Sequence, residues 1–399
     1  MDAFQFVFLT LCLLALGLSF RGPGTTAAMP MTTAVRPRYG TLADARLGKD
    51  NLLLLRMIAA SLVIYAHSYA LSPVKQGRDP ITSLFGIYSG NIAVYVFFFI
   101  SGFLVTGSWQ RRQDLRAFLT ARLFRVVPAY AACLIGCALL IGPWVSQLDP
   151  GQYLRDPLTW SYILGNLTFT EKLQFGLPGV FTGQPRESMN GSLWTLPAEM
   201  RAYTLLAVLG ALGILSSRWR TALCIGLAAA LVLFWNYRIP LVGVGMAKPL
   251  IGYFALGVLT WMFRERLPFN PWLALALVAM AAIAKGGAAY PYLFALALSY
   301  LSLIFAYRVK SLGFYNRFGD YSYGIYLWGF PMQQLVVYWL GSPTPTRITL
   351  LAWPLALICA VLSWRLIEKP SIALGRRFIR EPEAAASAAT GAASQPAVP

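Results

Sequence analysis

The stretch Leu52-Leu53-Leu54-Leu55-Arg56-Met57-Ile58-Ala59-Ala60-Ser61-Leu62-Val63-Ile64-Tyr65-Ala66-His67-Ser68-Tyr69-Ala70-Leu71-Ser72 decides the fold. It contains no acid, glycine or proline, and its only ionisable groups besides tyrosine are one arginine and one histidine. At ~1.5 Å rise per residue it measures about 31 Å as a helix, the thickness of a bilayer's hydrocarbon core. A helix apolar on all sides and of this length belongs in a membrane.

Composition generalises the point. Of 399 residues, 57% are hydrophobic and 12% charged. The charged share is about half the ~25% of a soluble domain, and so apolar a chain could not clothe a soluble surface. Five cysteines exclude a disulfide scaffold. Nine further segments resemble the first: 84–107, 126–146, 193–215, 221–235, 249–263, 271–285, 290–307, 321–340 and 348–366. The sequence therefore predicts an all-α integral membrane protein with about ten transmembrane helices.

The formal charge is +18, from 33 Lys and Arg against 15 Asp and Glu. An excess of this size in a soluble protein would point to nucleic acid. Here the basic residues fall mainly in alternate loops: 36–49, 111–125, 218–220, 264–266, 308–317 and 365–380. The opposite loops hold fewer than half as many. This asymmetry predicts both termini in the cytoplasm and no nucleic-acid partner.

Residues 1–50 form an N-terminal extension with an apolar run at 4–20. The run is either an additional peripheral helix or part of an over-extended start, with Met29 or Met31 as the true first residue. Residues 51–378 form the membrane domain. Residues 379–399, rich in Ala, Ser and Pro, read as a disordered tail. Cys133 and Cys137 stand i, i+4 without the further ligands a metal needs, so no metal site is expected.

Ionisable groups inside spans are costly and usually functional. Arg56 and His67 are 11 residues apart. That spacing returns them to one helix face, about 16 Å apart along the axis. Arg56 is either a snorkelling end residue or a functional cation. His67 is either a satisfied core residue or a catalyst, and as the only histidine it is the one side chain with an unperturbed pKa near neutrality. In the fourth span, Glu199 is expected about 9 Å below the outer surface and His67 about 8 Å below it. The depths match, as a carboxylate supporting an imidazole base would require. The competing reading of Glu199 is an ion pair with Arg201 or an interfacial acid. At the inner face, Arg122 and Arg125 precede Pro128, near Ser101, Tyr323 and Glu368. They are either ordinary positive-inside arginines or a phosphate-binding group.

Six stretches together resemble the acyltransferase-3 family of integral-membrane O-acyltransferases, in order over residues 50–378. They are Arg56-x10-His67, Val96-Phe-Phe-Phe-Ile-Ser101-Gly-Phe-Leu104 and Arg122-Leu-Phe-Arg125-Val-Val-Pro128-Ala-Tyr130. Then come Ser192-Leu-Trp-Thr-Leu-Pro-Ala-Glu199 with Tyr203, Tyr321-Ser-Tyr-Gly-Ile-Tyr-Leu-Trp328, and Ser363-Trp-Arg-Leu-Ile-Glu-Lys-Pro370. Two positions depart from the pattern. Gly329 stands where the family often has a histidine, and Pro197 interrupts the fourth-span motif. Residues 379–399 do not read as a hydrolase-like domain, so a second transfer step is expected to use another protein or to be absent.

The resemblance implies a multi-pass protein of the bacterial inner membrane. Its donor would be cytoplasmic acyl-CoA, most often acetyl-CoA, with no tightly bound cofactor. Its acceptor would be a sugar hydroxyl of an exopolysaccharide, O-antigen or other envelope glycan, with polysaccharide-biosynthesis proteins as partners. His67 would be the base or the acyl carrier, supported by Glu199 and with Arg56 part of the catalytic group. Arg122, Arg125, Ser101 and Tyr323 would bind the donor, and Trp194, Tyr203 and Arg201 would line the acceptor side. The competing class is a proton-coupled exporter of a glycan or small molecule, with His67 and Glu199 as its relay.

Overall fold

The computed structural model describes residues 40–45, 50–74, 77–170, 172–234 and 247–379. The apolar run at 4–20 and the tail from Glu381 lie outside them. Among the described residues the regular structure is helical, with two isolated bridges and no strand.

Each of the ten apolar segments falls on a helix. These are α1 (Leu52–Leu71), α2 (Ser89–Arg112), α3 (Leu115–Ile135), α4 (Leu196–Ala211) and α5 (Arg218–Phe234). They continue with α6 (Ala247–Met262), α7 (Pro271–Ile283), α8 (Tyr290–Arg308), α9 (Ser322–Leu340) and α10 (Pro345–Ser363). Two helices run on through a π turn, α3 to Val145 and α10 to Ile379. Five are long and apolar enough to cross a membrane: α1, α2, extended α3, α8 and extended α10. α6 and α7 are apolar but shorter.

Boundaries moved where local chemistry outvoted hydropathy. The second segment, expected from 84, breaks at Gly86, whose φ of 68° closes a short helix Pro80–Phe85. Asp79 caps that short helix by accepting from the Thr82 amide at 2.8 Å. The third begins at Leu115 rather than 126. Asp114 caps it, accepting from Ala117 N at 2.9 Å, and so Arg116, Arg122 and Arg125 lie in a helix and not in a loop. Pro197 is the second residue of α4, in the first turn, where proline is tolerated.

The chain forms two compact units. Among the described residues, the first takes in those within 40–55, 98–110 and 212–317. Its tightest crossing is α2 on α6. A Cβ on Gly102 would lie 2.1 Å from the Phe254 carbonyl oxygen, and one on Gly257 2.2 Å from that of Phe99. Paired glycines thus let two backbones touch, which is how helices pack where lipid removes the hydrophobic drive. Phe103 and Trp261 stack edge to face beside them, with centroids 5.2 Å apart.

The second unit takes in the described residues within 56–97, 111–211 and 318–379. There α9 packs closely on α10, and a Cβ on Gly324 would meet Ala360 Cα at 2.7 Å. α9 also lies on α1, where Gln333 Nε2 donates to Ile64 O at 2.6 Å and Ser68 Oγ at 2.7 Å. α10 reaches α1 through Trp353 Nε1 to Ser61 Oγ (2.9 Å) and a Thr349–Ser68 hydroxyl contact of 2.8 Å. Polar groups so placed satisfy each other away from water.

Candidate functional site

The second unit gathers most of the expected residues. Arg56 on α1 and Arg125 on α3 meet at one carboxylate oxygen: Asp320 Oδ2 is 2.8 Å from Arg56 Nη1 and 2.5 Å from Arg125 Nη2. Arg125 Nη1 continues the chain to Glu368 Oε2 at 3.2 Å. Asp320 and Glu368 are both buried. Their second oxygens are occupied too: Ser322 Oγ donates to Asp320 Oδ1 (2.5 Å) and Ser363 Oγ to Glu368 Oε1 (3.0 Å). The Arg125 guanidinium lies 5.8 Å from the Tyr323 ring and 5.7 Å from the Trp364 ring. Tyr323 in turn donates to the Val126 carbonyl at 3.1 Å.

Asp320 escaped the sequence reading. It sits just before α9, outside any apolar run, and its signal was only an acid directly ahead of Tyr321-Ser322-Tyr323 on the arginine-rich side. Burial pushes its carboxyl up, but the guanidiniums of Arg56 and Arg125 outweigh that and hold it below the ordinary aspartate value.

Arg122 behaves differently. Its Nε is enclosed without a hydrogen-bond partner, and no carboxylate lies within ion-pair distance of it among the described residues. Its guanidinium faces the rings of Phe118 and Tyr203 at 5.9 and 6.0 Å. Glu199 is within electrostatic reach of Arg122, Tyr323 and Tyr326.

The expected pairing of Glu199 with His67 is not made. Glu199 Oε1 instead accepts from the Tyr203 hydroxyl one turn along α4. His67 Nδ1 is enclosed without a hydrogen-bond partner, and the ring stacks edge to face on Phe330, with centroids 5.2 Å apart. Glu199 is turned instead toward Arg122 and Tyr323, on the side of the arginine cluster, so a depth counted from assumed span ends does not bring it to the imidazole. Arg201 Nε donates to Pro197 O at 3.2 Å. Trp194 lies half-buried in the short helix Gly191–Thr195, next to Thr195, whose hydroxyl meets Tyr326 OH at 2.5 Å. Ser101 belongs to the first unit, half-buried on α2.

No group of three or more potential metal ligands occurs among the described residues. Cys133 and Cys137 are buried, with sulfurs 3.9 Å apart, and serve packing.

Comparison with known proteins agrees with the resemblance. The acyltransferase-3 family model, described as an acyltransferase domain, matches residues 50–365. An O-acetyl transferase of Shigella phage Sf6 is 29% identical over 334 residues, covering 79% of this chain and 93% of that protein. Nodulation protein 10 of Rhizobium leguminosarum bv. viciae is 26% identical over 82% of this chain and 94% of its own. The peptidoglycan O-acetyltransferase OatA of Listeria monocytogenes is 26% identical over 70% of this chain, which spans 51% of that relative. No solved structure matches. With a family model covering residues 50–365 and relatives named for O-acetyl transfer, the chain belongs to the acyltransferase-3 family and is an O-acetyltransferase of the multi-pass membrane kind.

Proposed function

We propose that the protein moves an acetyl group from cytoplasmic acetyl-CoA to a sugar hydroxyl of an envelope glycan: an exopolysaccharide, an O-antigen or a related polymer. It does so as a ten-span protein of the bacterial inner membrane with both termini in the cytoplasm. The charge asymmetry between alternate loops supports that orientation. The phage relative is named an O-acetyl transferase and the Listeria relative acts on peptidoglycan, which supports a glycan acceptor.

The observation that carries the reading is the position of His67. The only histidine of the chain stands on the same helix as Arg56, and Arg56 belongs to the arginine–carboxylate cluster. In the reaction, the acceptor hydroxyl loses its proton to neutral His67 while its oxygen attacks the thioester carbonyl. The new C–O bond forms, the C–S bond breaks, and the CoA thiolate takes the proton back from the imidazolium. Arg122, whose charge no carboxylate among the described residues balances by contact, suits a donor phosphate, and Arg56 and Arg125 suit the same anionic region. Trp194, Tyr203 and Arg201 take the acceptor side.

The test is membrane vesicles given labelled acetyl-CoA, comparing wild type with His67→Asn. Label entering glycan in wild type and absent in the variant supports the assignment. Unchanged label in the variant would remove His67 from the chemistry.

A further inference from the structure

We infer that Asp320 is a positioning residue for the donor site: its Oδ2 fixes the guanidinium groups of Arg56 and Arg125 side by side. The inference rests on the reading above that these arginines face the acyl donor. Two like charges brought from α1 and α3 to a single oxygen, at 2.8 and 2.5 Å, would repel without it. Asp320 is the hub because its second oxygen is held by Ser322 Oγ, which leaves Oδ2 aimed at the arginines. Glu368 takes Arg125 from its other Nη, and the rings of Tyr323 and Trp364 lie beside the same guanidinium. Arg56 is less enclosed. It is ion-paired with Asp320 at 2.8 Å and rests 6.0 Å from the Phe97 ring, and its fork of five donors suits a phosphate or carbonyl oxygen.

Charge and geometry make opposite demands here. Two arginines and two carboxylates sum to zero, so Asp320 weakens the pull of the cluster on an anion while improving the placement of its donors. If Asp320 merely balanced charge, Asp320→Asn would raise the net positive charge and tighten the donor. If it positions, the same change loosens the donor although the charge has become more favourable.

The experiment measures acetyl-CoA KM and kcat separately in vesicles carrying wild type, Asp320→Asn, Asp320→Glu and Ser322→Ala, alongside thermal unfolding in detergent. The expected result for Asp320→Asn is a donor KM raised by about 10-fold or more, the scale at which small misplacements act. Partial recovery is expected in Asp320→Glu. Ser322→Ala keeps every charge and frees only Oδ1, and its KM should rise by a smaller factor. If Asp320→Asn does not accumulate, Ser322→Ala decides: a raised donor KM supports the inference and an unchanged one overturns it. A donor KM unchanged or lowered in Asp320→Asn overturns it as well. Wild-type vesicles that do not consume acetyl-CoA would instead sink the proposed function, and this inference with it.

Discussion

Gly329 of α9 rests directly on Ile64 of α1: a Cβ at position 329 would stand 2.8 Å from Ile64 Cγ1 and 3.1 Å from Cδ1. One turn along α1 lies His67, against the ring of Phe330, the residue after Gly329. The glycine at 329 is what lets the two helices approach here. At this crossing any side chain at 329 must displace the Ile64 side chain.

Gly329→Ala should therefore destabilise the protein by about 1–3 kcal/mol, the usual cost of overpacking. Gly329→His should cost more and displace α1. Thermal unfolding in detergent, with glycan labelling in parallel, checks both. A Gly329→His variant as stable as wild type would show that the crossing yields easily and that the glycine is incidental.

Arg122 and Arg125 lie one turn apart on α3 but should respond in opposite ways to loss of charge. Arg125→Gln leaves Glu368 buried without its cation and strips one of two arginines from Asp320. Breaking such a pair from one side costs about 3–5 kcal/mol. Arg122→Gln removes a guanidinium with no ion-paired carboxylate among the described residues, so it should cost less stability than Arg125→Gln while donor KM rises. Melting temperatures and acetyl-CoA titrations of the two variants separate the roles. Equal melting temperatures would contradict the division.

Asp320 also sets an acid limit. Its carboxyl lies below the ordinary value because Arg56 and Arg125 outweigh its burial. A depressed folded-state pKa contributes stability above the unfolded value of about 3.9, and that stability is lost as pH falls through the folded value. Wild type in detergent should therefore lose melting temperature between about pH 5 and pH 3 more steeply than Asp320→Asn, which has no carboxylate to protonate there. Parallel curves for the two proteins would show that Asp320 is not held down by its arginines.

Much of the helical pattern was legible because membrane helices are written in runs of apolar residues, which need no tertiary context. All ten segments fall on helices. Arg56, assigned with the catalytic group, and Arg125, assigned to the donor, meet at one carboxylate, which no spacing along either helix could have shown. The helix starts were less legible. Asp79 and Asp114 act through single hydrogen bonds to first-turn amides, and these outweigh a sliding average of hydropathy. Asp320 was missed because it lies outside every apolar run, and its role exists only through arginines 264 and 195 positions away in sequence.

The sequence by itself determined the class of the molecule, the family and the residue types that carry its chemistry, since each depends on composition and on spacing along one helix. Only the tertiary structure decided which of those residues meet. It gave Arg56 and Arg125 to Asp320, Glu199 to Tyr203 and His67 to Phe330, and left Arg122 without an ion-paired carboxylate among the described residues. The physical reason is that a sequence specifies how far along its own axis a side chain stands. Contact also requires the rotation of each helix, and here that is set by glycine crossings such as Gly329 on Ile64 and Gly324 on Ala360.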